Sequence, residues 1–410
     1  MMKRTRKLNA LTSLRFFAAS VIVLHHSTGS FGLDPAWNRF IPTGHAVSFF
    51  FVLSGFILTY VYRSLDNPRD IMNFYRARIG RVWPLHLCTL FLSILLLWDY
   101  LVEPLGGRVL SLFLSAPFAA NVFMVHSWIP DRAYFWSFNS VSWSISTEFG
   151  FYLFFPFLLW RWSESWRWKL ACALAISLTA VALCNYVGFP AGWEGGVGFV
   201  GVVAISPATR LFEFALGMAA ALLFLQTDNV PGSKGHRATV AEAWLALLVL
   251  AVMIGGQTLT ERLEPLIGPA GRLWLDGGGL FAIVFAVFIF VMAREQGALS
   301  RALTSKGFVL LGEISFSMYL LHQILIRYYR VRLESATSFP GWAQYLYFWV
   351  MVLAGSYLLW ETVEKPMRRK ITGRKTSPAV VSTGLRPFPP KGATIGAAAV
   401  VFLLGLPLIL

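Results

Sequence analysis

Long apolar runs recur along the whole chain, and they limit its fold more than any other feature. Ten of them lie near residues 16–32, 44–62, 82–100, 143–160, 168–187, 208–226, 240–256, 275–293, 308–326 and 344–361, and an eleventh lies at 392–410. Each approaches the ~20 residues that a helix needs to cross the hydrocarbon core of a bilayer. Hydrophobic residues make up 56% of the chain and charged residues only 13%, against about a quarter charged in soluble domains. The pattern predicts an all-α integral membrane protein and excludes a disordered chain, a coiled coil or a disulfide-rich scaffold.

The runs also suggest how the chain is divided. Residues 1–370 contain ten apolar runs and are expected to form one ten-helix membrane unit. The stretch 371–391 holds four prolines, so we expect an irregular linker there. Residues 392–410 would then form an additional C-terminal transmembrane helix.

The formal net charge of +15 has two readings. On a soluble protein it would suggest nucleic-acid binding, whereas in a membrane protein it indicates Lys and Arg gathered in cytoplasmic loops. The second reading is favoured, because no soluble domain is present to carry a nucleic-acid surface. Lys3, Arg4, Arg6 and Lys7 then place the N-terminus in the cytoplasm. We predict a multi-pass protein of the cytoplasmic (inner) membrane, with the lipid bilayer as a partner and no nucleic acid.

One further segment, 109–130, lacks Lys, Arg, Asp and Glu and is long enough to span. If it crossed, every later loop would change sides and four loops would break the positive-inside rule. We therefore interpret it as re-entrant or interfacial. Arg327, Arg330 and Arg332 fall outside in this scheme, where they are candidates for lining a site for an anionic acceptor.

Ionisable residues at membrane depth are costly and commonly functional. Arg15 and His26 in the first run are eleven residues apart, so they share a helix face at depths that differ by roughly 16 Å. Arg15 is equally well explained as an anchor at the interface. For His26 a functional role is favoured over packing.

Three arginines, Arg76, Arg78 and Arg81, precede the third apolar run. Forked guanidinium donors suit phosphate binding. Ordinary positive-inside anchoring explains them equally well.

Ser144, Glu148 and Tyr152 are spaced four residues apart, so they lie on one helix face. Glu148 has apolar flanks and needs a partner or a proton; a structural role and a place in the reaction site are equally compatible. Ser54 in the sequence LSGF is a conceivable nucleophile without a base nearby in the chain.

Two later motifs have mainly structural interpretations. Arg210 and Glu213 are spaced for an ion pair, and Gly217 permits close helix approach. Tyr319 and His322 share a face, where packing hydrogen bonds are the default and a contribution to the site is the alternative. The chain contains no P-loop, dinucleotide-binding, zinc-protease or nucleophile-elbow motif, so we expect no metal. Its three cysteines have no paired spacing, and they are Cys88, Cys172 and Cys184.

Taken together, these segments resemble the acyltransferase 3 family of membrane acyltransferases, over residues 8 to 368. The first run is similar to the family's first helix with its Arg-x10-His spacing, which selects Arg15 and His26. GHAVSFFFVLSGFIL and RIGRVWPLH look like the next two blocks. SVSWSISTEFGFYLFFP resembles the block that carries Trp143 and Ser144. RLFEFALGM, LGEISFSMYLLHQ and EKPMRR match later blocks in order.

The resemblance implies a ten-helix transmembrane acyltransferase unit and a membrane-bound O-acyltransferase, most simply an O-acetyltransferase that uses acetyl-CoA. The acceptor hydroxyl would belong to a sugar or glycolipid, such as an exported or cell-surface polysaccharide or its lipid-linked precursor. Non-polysaccharide acceptors such as an antibiotic are the alternative, and a transporter or flippase without acyl transfer is the rival class.

The resemblance also implies roles for individual residues. His26 would be the general base on the acceptor hydroxyl, or would carry the acetyl group transiently. Arg15 would orient the donor or stabilise the developing negative charge on the carbonyl oxygen, and Glu148 would orient or charge His26 if their helices adjoin. Arg78 and Arg81, with Arg76 beside them, would bind the acyl donor. Further residues are candidates for lining the site, namely Ser54, Trp143, Ser144, Tyr152, Tyr319 and His322.

Overall fold

A computed structural model describes residues 6–40, 43–101, 109–227, 235–336 and 338–373 of the chain. Within these ranges the chain folds into helices and their connections, and one isolated antiparallel bridge joins Asp131 to Val197. The predicted all-α class is therefore confirmed for this part of the chain. The predicted helix 392–410, and the linker 371–391 beyond residue 373, lie outside the described residues.

Sixteen α-helices follow one another in the described residues. They are α1 (Asn9–Ser27), α2 (Thr43–Val61), α3 (Pro68–Leu96), α4 (Trp98–Leu101), α5 (Val109–Phe113), α6 (Ala116–Val122), α7 (Arg132–Phe135), α8 (Trp143–Leu159), α9 (Trp162–Val187), α10 (Pro207–Thr227), α11 (His236–Asp276), α12 (Ala282–Arg294), α13 (Ala298–Leu303), α14 (Lys306–Tyr328), α15 (Gly341–Leu359) and α16 (Lys365–Thr372). Short π-helical turns extend three of them, at Val200–Ile205, Tyr329–Leu333 and Trp360–Glu364. Single 3-10 turns lie at Pro35–Phe40, Ser140–Ser142 and Gly279–Phe281.

Each of the ten apolar runs in residues 1–370 falls on a helix, but not all of these helices could span a membrane by themselves. Seven helical stretches of the described chain are long and apolar enough to cross, and they are Gly44–Val61, Pro68–Leu96, Trp162–Val187, Val200–Thr227, His236–Asp276, Lys306–Leu333 and Gly341–Thr372. The helices α1, α8 and α12 lie outside this group. A multi-pass membrane protein is thus indicated, while the count of ten crossings stays a prediction.

Three helix boundaries differ from the apolar runs, for local reasons. The third helix begins at Pro68, well before residue 82, because the Asn67 side chain caps the backbone N–H of Asp70 at 2.9 Å and Pro68 suits the first turn. Consequently the arginine cluster lies inside α3 rather than ahead of it. The eleventh helix has 41 residues and bends at Gly268, where φ is 70°. The segment predicted at 275–293 becomes α-helical again only at Ala282, after a 3-10 turn.

The segment 109–130 forms short helices instead of one long one. Its helices α5 and α6 have 5 and 7 residues, far fewer than a crossing requires. Met124 leaves the helical region with φ 55°. This geometry fits the re-entrant or interfacial interpretation.

Glycines bring the central helices into close contact. A Cβ atom on Gly217 of α10 would overlap the carbonyl oxygen of Val52 in α2, and one on Gly55 of α2 would overlap that of Phe214. Gly312 of α14 approaches the carbonyl of Thr12 in α1 in the same way. The expected role of Gly217 in close helix approach is confirmed, and small residues at these crossings set the spacing around the site.

The helices share two common ends, which we call the Asn9 end and the Ser27 end after the limits of α1. At the Asn9 end, Arg6 donates to the carbonyl of Ala293 at 2.9 Å, and Tyr60 donates to the carbonyl of Arg6 at 2.9 Å. At the Ser27 end, Arg330 donates to Ser30 Oγ at 2.6 Å. These contacts hold the starts and ends of α1, α2, α12 and α14 in register.

Candidate active site

Two cavities in the bundle share part of their wall, which we call the partition. The histidine cavity, of about 1020 Å³, opens toward the Ser27 end and is lined by His26 among others. The arginine cavity, of about 290 Å³, lies toward the Asn9 end and is lined by Arg15 among others. Val47 and Tyr319 line both cavities, so they form the partition.

The two polar residues of α1 therefore serve different cavities. Their spacing along one helix places Arg15 on one side of the partition and His26 on the other. A regular helix separates them by roughly 16 Å along its axis, so they do not touch. One helix face thus runs from one cavity to the other.

His26 is paired with a second histidine on α14. Its Nδ1 lies 2.9 Å from Nε2 of His322, and the two rings are stacked at 6° with centroids 5.2 Å apart. The Nδ1 of His322 lies 3.2 Å from the carbonyl oxygen of Met318. The His322 side chain is fully buried, so this pairing is fixed by packing.

The direction of these hydrogen bonds follows from the chemistry of the groups. A carbonyl oxygen only accepts, so His322 carries its proton on Nδ1 and donates it to Met318. In a neutral ring Nε2 of His322 is then an acceptor, and His26 must donate from its own Nδ1. The Nε2 atom of His26 is left with a lone pair. This tautomer is assigned from the network of partners.

Glu148 lies in the arginine cavity rather than beside His26. Its Oε1 accepts hydrogen bonds from Ser54 Oγ and from Tyr152 Oη, both at 2.6 Å. Glu148, Ser54 and Tyr152 all line the arginine cavity, and His26 does not. The expectation that Glu148 orients His26 is therefore not met by this geometry, in which His322 takes that position. Periodicity placed Glu148 and Tyr152 on one face correctly, but it had no means of pairing α8 with α1 or α14.

The three arginines of α3 divide into two groups. Arg78 and Arg81 line the arginine cavity, while Arg76 is exposed and does not line it. Helical geometry explains the division. Arg78 is about 200° around the helix from Arg76, so the two side chains point to opposite sides, whereas Arg81 is only about 60° from Arg78. The guanidinium of Arg78 lies 5.7 Å from the ring centre of Tyr62 and 5.8 Å from that of Tyr152.

The partition residue Tyr319 is held in place by α8 and by the 3-10 turn before it. Its hydroxyl lies 2.7 Å from Ser144 Oγ and donates to the carbonyl of Val141 at 2.9 Å. Ser144 lines the arginine cavity and Trp143 lines the histidine cavity. The six candidate lining residues all lie at one or other cavity or, in the case of His322, directly behind His26.

Some neighbours of the site were not singled out as individual residues. Glu364, only 3% exposed, has Arg81 and Arg15 as its leading charged neighbours, and Ser317 donates to it at 3.4 Å. Glu364 is the first residue of the EKPMRR block, so the family motif already pointed to this position. Its proximity to Arg15 and Arg81 needed the tertiary structure.

The three late arginines have separate positions. Arg327 lines the histidine cavity and donates to the carbonyl of Phe138 at 2.9 Å. Arg330 donates to Ser30 and to the carbonyl of Thr28 in the loop after α1, and Arg332 is exposed. Of the three, Arg327 lines the histidine cavity, and it therefore stays a candidate for contact with an anionic acceptor.

The Arg210–Glu213 pair is confirmed as an i,i+3 ion pair of 2.9 Å whose side chains are each 1% exposed. Within the described ranges, no three His, Cys, Asp or Glu side chains are grouped so as to hold a metal ion.

Comparison with known proteins places these features in a wider group. A family profile described as an acyltransferase domain, of the acyltransferase 3 type, matches residues 8–361. The chain is 32% identical over 340 residues to acyltransferase MdmB of Streptomyces mycarofaciens, which covers 79% of this chain and 80% of that protein. It is 25% identical over 342 residues to O-acetyltransferase OatA of Staphylococcus aureus strain NCTC 8325, which covers 78% of this chain but only 51% of that protein.

No solved structure matches the chain. The family match extends from the start of α1 to the end of α15 and includes both cavities. The chain therefore belongs to the acyltransferase 3 family and is a multi-pass membrane acyltransferase.

Proposed function

We propose that this acyltransferase moves an acetyl group from acetyl-CoA to a hydroxyl of a carbohydrate-type acceptor. The acceptor would be a cell-surface or exported polysaccharide or its lipid-linked precursor. The observation that carries the proposal is the meeting of two cavities at Tyr319 and Val47, with a basic nitrogen of His26 on one side and Arg15 on the other. Two substrates can thus enter from opposite ends and meet at one partition.

The donor belongs in the arginine cavity. Acetyl-CoA is polyanionic and cytoplasmic, and the N-terminal basic residues favour a cytoplasmic Asn9 end in the inner membrane. Arg78 and Arg81 would take the phosphates through charge-assisted hydrogen bonds, and the pantetheine arm would extend past Tyr319 so that the thioester reaches the acceptor hydroxyl beside His26. Glu148 is positioned to accept from an amide N–H of that arm.

The acceptor belongs in the histidine cavity. Its hydroxyl oxygen would attack the carbonyl carbon of the thioester while Nε2 of His26 takes the hydroxyl proton. The new C–O bond forms, the C–S bond breaks, and CoA leaves as a thiolate; the proton held by His26 passes to that thiolate, directly or through solvent, which restores the neutral base. His322 would keep His26 in the reactive tautomer, much as a carboxylate does in other histidine-dependent transferases and hydrolases. Arg15, on the donor side of the partition, would orient the donor through its charge.

Replacement of His26 tests the proposal directly. In purified protein reconstituted in nanodiscs, His26→Ala should reduce transfer of radiolabelled acetyl from acetyl-CoA to the acceptor by at least about 10²-fold, which is the scale of general-base catalysis. His236→Ala is a matched control, because His236 is exposed at the start of α11. Full activity of His26→Ala would contradict the proposal.

A second experiment separates the two routes open to His26. In direct transfer the histidine only accepts a proton, whereas in a two-step reaction it carries the acetyl group. Rapid quench followed by mass spectrometry of the peptide containing His26 distinguishes them. An acetylated peptide that appears and decays within one turnover indicates the two-step route.

The acceptor is tested by comparing surface glycans, by mass spectrometry, in cells with and without the gene. Loss of an O-acetyl group from a polysaccharide supports the carbohydrate acceptor. Unchanged glycans together with loss of acetyl from a secreted antibiotic would support the alternative acceptor class.

A further inference from the structure

A rim of the histidine cavity is built by two segments that are distant in sequence. The loop after α9, residues 188–199, meets the segment that leads into α7. Asp131 and Val197 form an isolated antiparallel bridge, Gly198 N–H donates to the carbonyl of Pro130 at 3.2 Å, and Arg132 N–H donates to that of Gly196 at 3.3 Å. The rim therefore has a defined backbone structure at the Ser27 end.

Glycines allow the loop to fold back on itself. Gly192 has φ 80°, a conformation that side-chain-bearing residues rarely adopt. A Cβ on Gly198 would overlap the carbonyl of Ala191. The close approach holds residues 193 and 194 over the cavity.

Two tryptophans form a stacked pair on this rim, which we call the Trp136–Trp193 surface. The indole rings of Trp136 and Trp193 are stacked at 27° with centroids 5.5 Å apart. The guanidinium of Arg132 lies 5.4 Å from the ring of Trp136, and Arg132 also donates to the carbonyl of Trp193. Both tryptophans line the cavity that contains His26.

This surface differs from an ordinary aromatic belt at a membrane interface. Belt tryptophans are placed on the outside of a bundle; Trp342, for example, is 74% exposed and lines neither described cavity. Trp193 is 49% exposed but belongs to the wall of a cavity, and it is stacked and clamped. An exposed apolar surface rimmed by Arg132 and Glu194 is typical of a ligand-binding site.

We propose that the Trp136–Trp193 surface is the acceptor subsite for a sugar ring, and this inference rests on the proposed function. The apolar face of a pyranose, which presents C–H bonds, would pack on the indole face of Trp193 that Trp136 does not cover. Arg132 and Glu194 would hydrogen-bond the equatorial hydroxyls at its edge. The cavity volume of about 1020 Å³ leaves room for further parts of the acceptor between this rim and His26.

The test uses the full chain in nanodiscs, with methyl β-D-glucopyranoside and methyl α-L-rhamnopyranoside as probes and glycerol as a polyol without a ring. Saturation-transfer NMR should show the ring C–H protons of the pyranosides receiving magnetisation, and glycerol should not receive it. Trp193→Ala and Trp136→Ala should weaken that signal and raise the acceptor KM about tenfold with a smaller change in kcat. Trp193→Phe should recover part of the affinity, because it retains an aromatic face.

The control variant is Trp342→Ala, which should match the unaltered protein. The proposal is overturned if Trp193→Ala, shown to be folded by size-exclusion chromatography, behaves like Trp342→Ala, or if the pyranosides receive no more magnetisation than glycerol. If either of these outcomes is found and His26→Ala is inactive, the sugar subsite is rejected and the proposed function is kept. If His26→Ala is active and sugar binding still depends on Trp136 and Trp193, the proposed function is rejected and the sugar subsite is kept.

The two sources of a sugar ring are compared in a parallel arm. A polyprenyl-phosphate-linked glucoside is incorporated in the same nanodiscs and competes with the free methyl glycoside. Preferential acetylation of the lipid-linked sugar indicates a membrane-bound precursor, and preference for the free sugar indicates a soluble acceptor. Both results require the Trp136–Trp193 surface if the proposal is correct.

Discussion

At the scale of single residues, the direction of one hydrogen bond decides what His26 is able to do. A carbonyl at Met318 fixes the proton of His322, and His322 in turn fixes that of His26. The outcome is a lone pair on the nitrogen that the proposed reaction needs. A histidine behind the base thus replaces the carboxylate that the sequence suggested.

Substitution of His322 tests this relay. His322→Gln should lower kcat for acetyl transfer by about 10²–10⁴-fold, since a misplaced tautomer or a mobile base reduces proton transfer. The KM for acetyl-CoA should change little, because His322 lies on the other side of the partition. Steady-state kinetics with His236→Gln as the control make the comparison. Unchanged kcat would show that His26 needs no partner.

The arginines of α3 allow an equally direct test. Arg78→Lys and Arg81→Lys should each raise the KM for acetyl-CoA about tenfold, which corresponds to about 1.4 kcal/mol, because lysine lacks the forked donors of arginine. Arg76→Lys is the matched control on the same helix, since Arg76 is exposed outside the cavity. Equal effects at all three positions would indicate general surface charge instead of a donor site.

At the scale of helices, close contacts between backbones determine where the site residues meet. The α2–α10 crossing depends on Gly55 and Gly217, and the α1–α14 crossing depends on Gly312. The latter crossing brings His26 and His322 together. In a membrane, such packing replaces the hydrophobic effect as the source of helix association.

Gly217→Val should therefore destabilise the folded protein by about 1–3 kcal/mol or more, because the new side chain overlaps the Val52 carbonyl. Gly255→Val is a matched control on α11, where an added Cβ meets nothing within 4 Å. The measurement is the temperature at which half of the protein leaves the monodisperse peak in detergent. If this temperature falls equally in both variants, the loss of stability comes from the helix propensity of valine and not from the helix crossing.

At the scale of the whole molecule, the two cavities open toward opposite ends of the bundle. The Asn9 end carries Arg78 and Arg81, and the Ser27 end carries the tryptophan rim and Arg327. This arrangement suits a polyanionic donor on one side of a membrane and a different substrate on the other. Transfer across the partition then needs no movement of either whole substrate through the bilayer.

The orientation can be measured with single cysteines in a chain whose three native cysteines are replaced by serine. Trp342→Cys, at the Ser27 end, should react with a membrane-impermeant maleimide in intact cells. Arg167→Cys, at the Asn9 end of α9, should react only after permeabilisation. Both side chains are exposed, so access through the membrane is the variable. The opposite labelling pattern would place the N-terminus outside.

Some of these features were accessible from the chain itself. Apolar run lengths predicted the helices, and helical spacing predicted the Arg210–Glu213 pair and the shared face of Glu148 and Tyr152, because these are local properties of a 3.6-residue turn. The Arg-x10-His spacing identified Arg15 and His26 as members of one face. Local capping, which shifted the start of α3 to Pro68, was weaker than the hydropathy signal and was missed.

Only the tertiary structure decided which of these residues meet. His26 pairs with His322 across nearly 300 positions, Glu148 pairs with Ser54 across 94, and Trp136 stacks on Trp193 from another loop. The sequence by itself determined helices, faces and family, because those depend on neighbours along the chain. The division into two cavities depends on how the helices cross. The crossings depend on close backbone contacts between distant segments, and the periodicity of a single helix does not reveal those contacts.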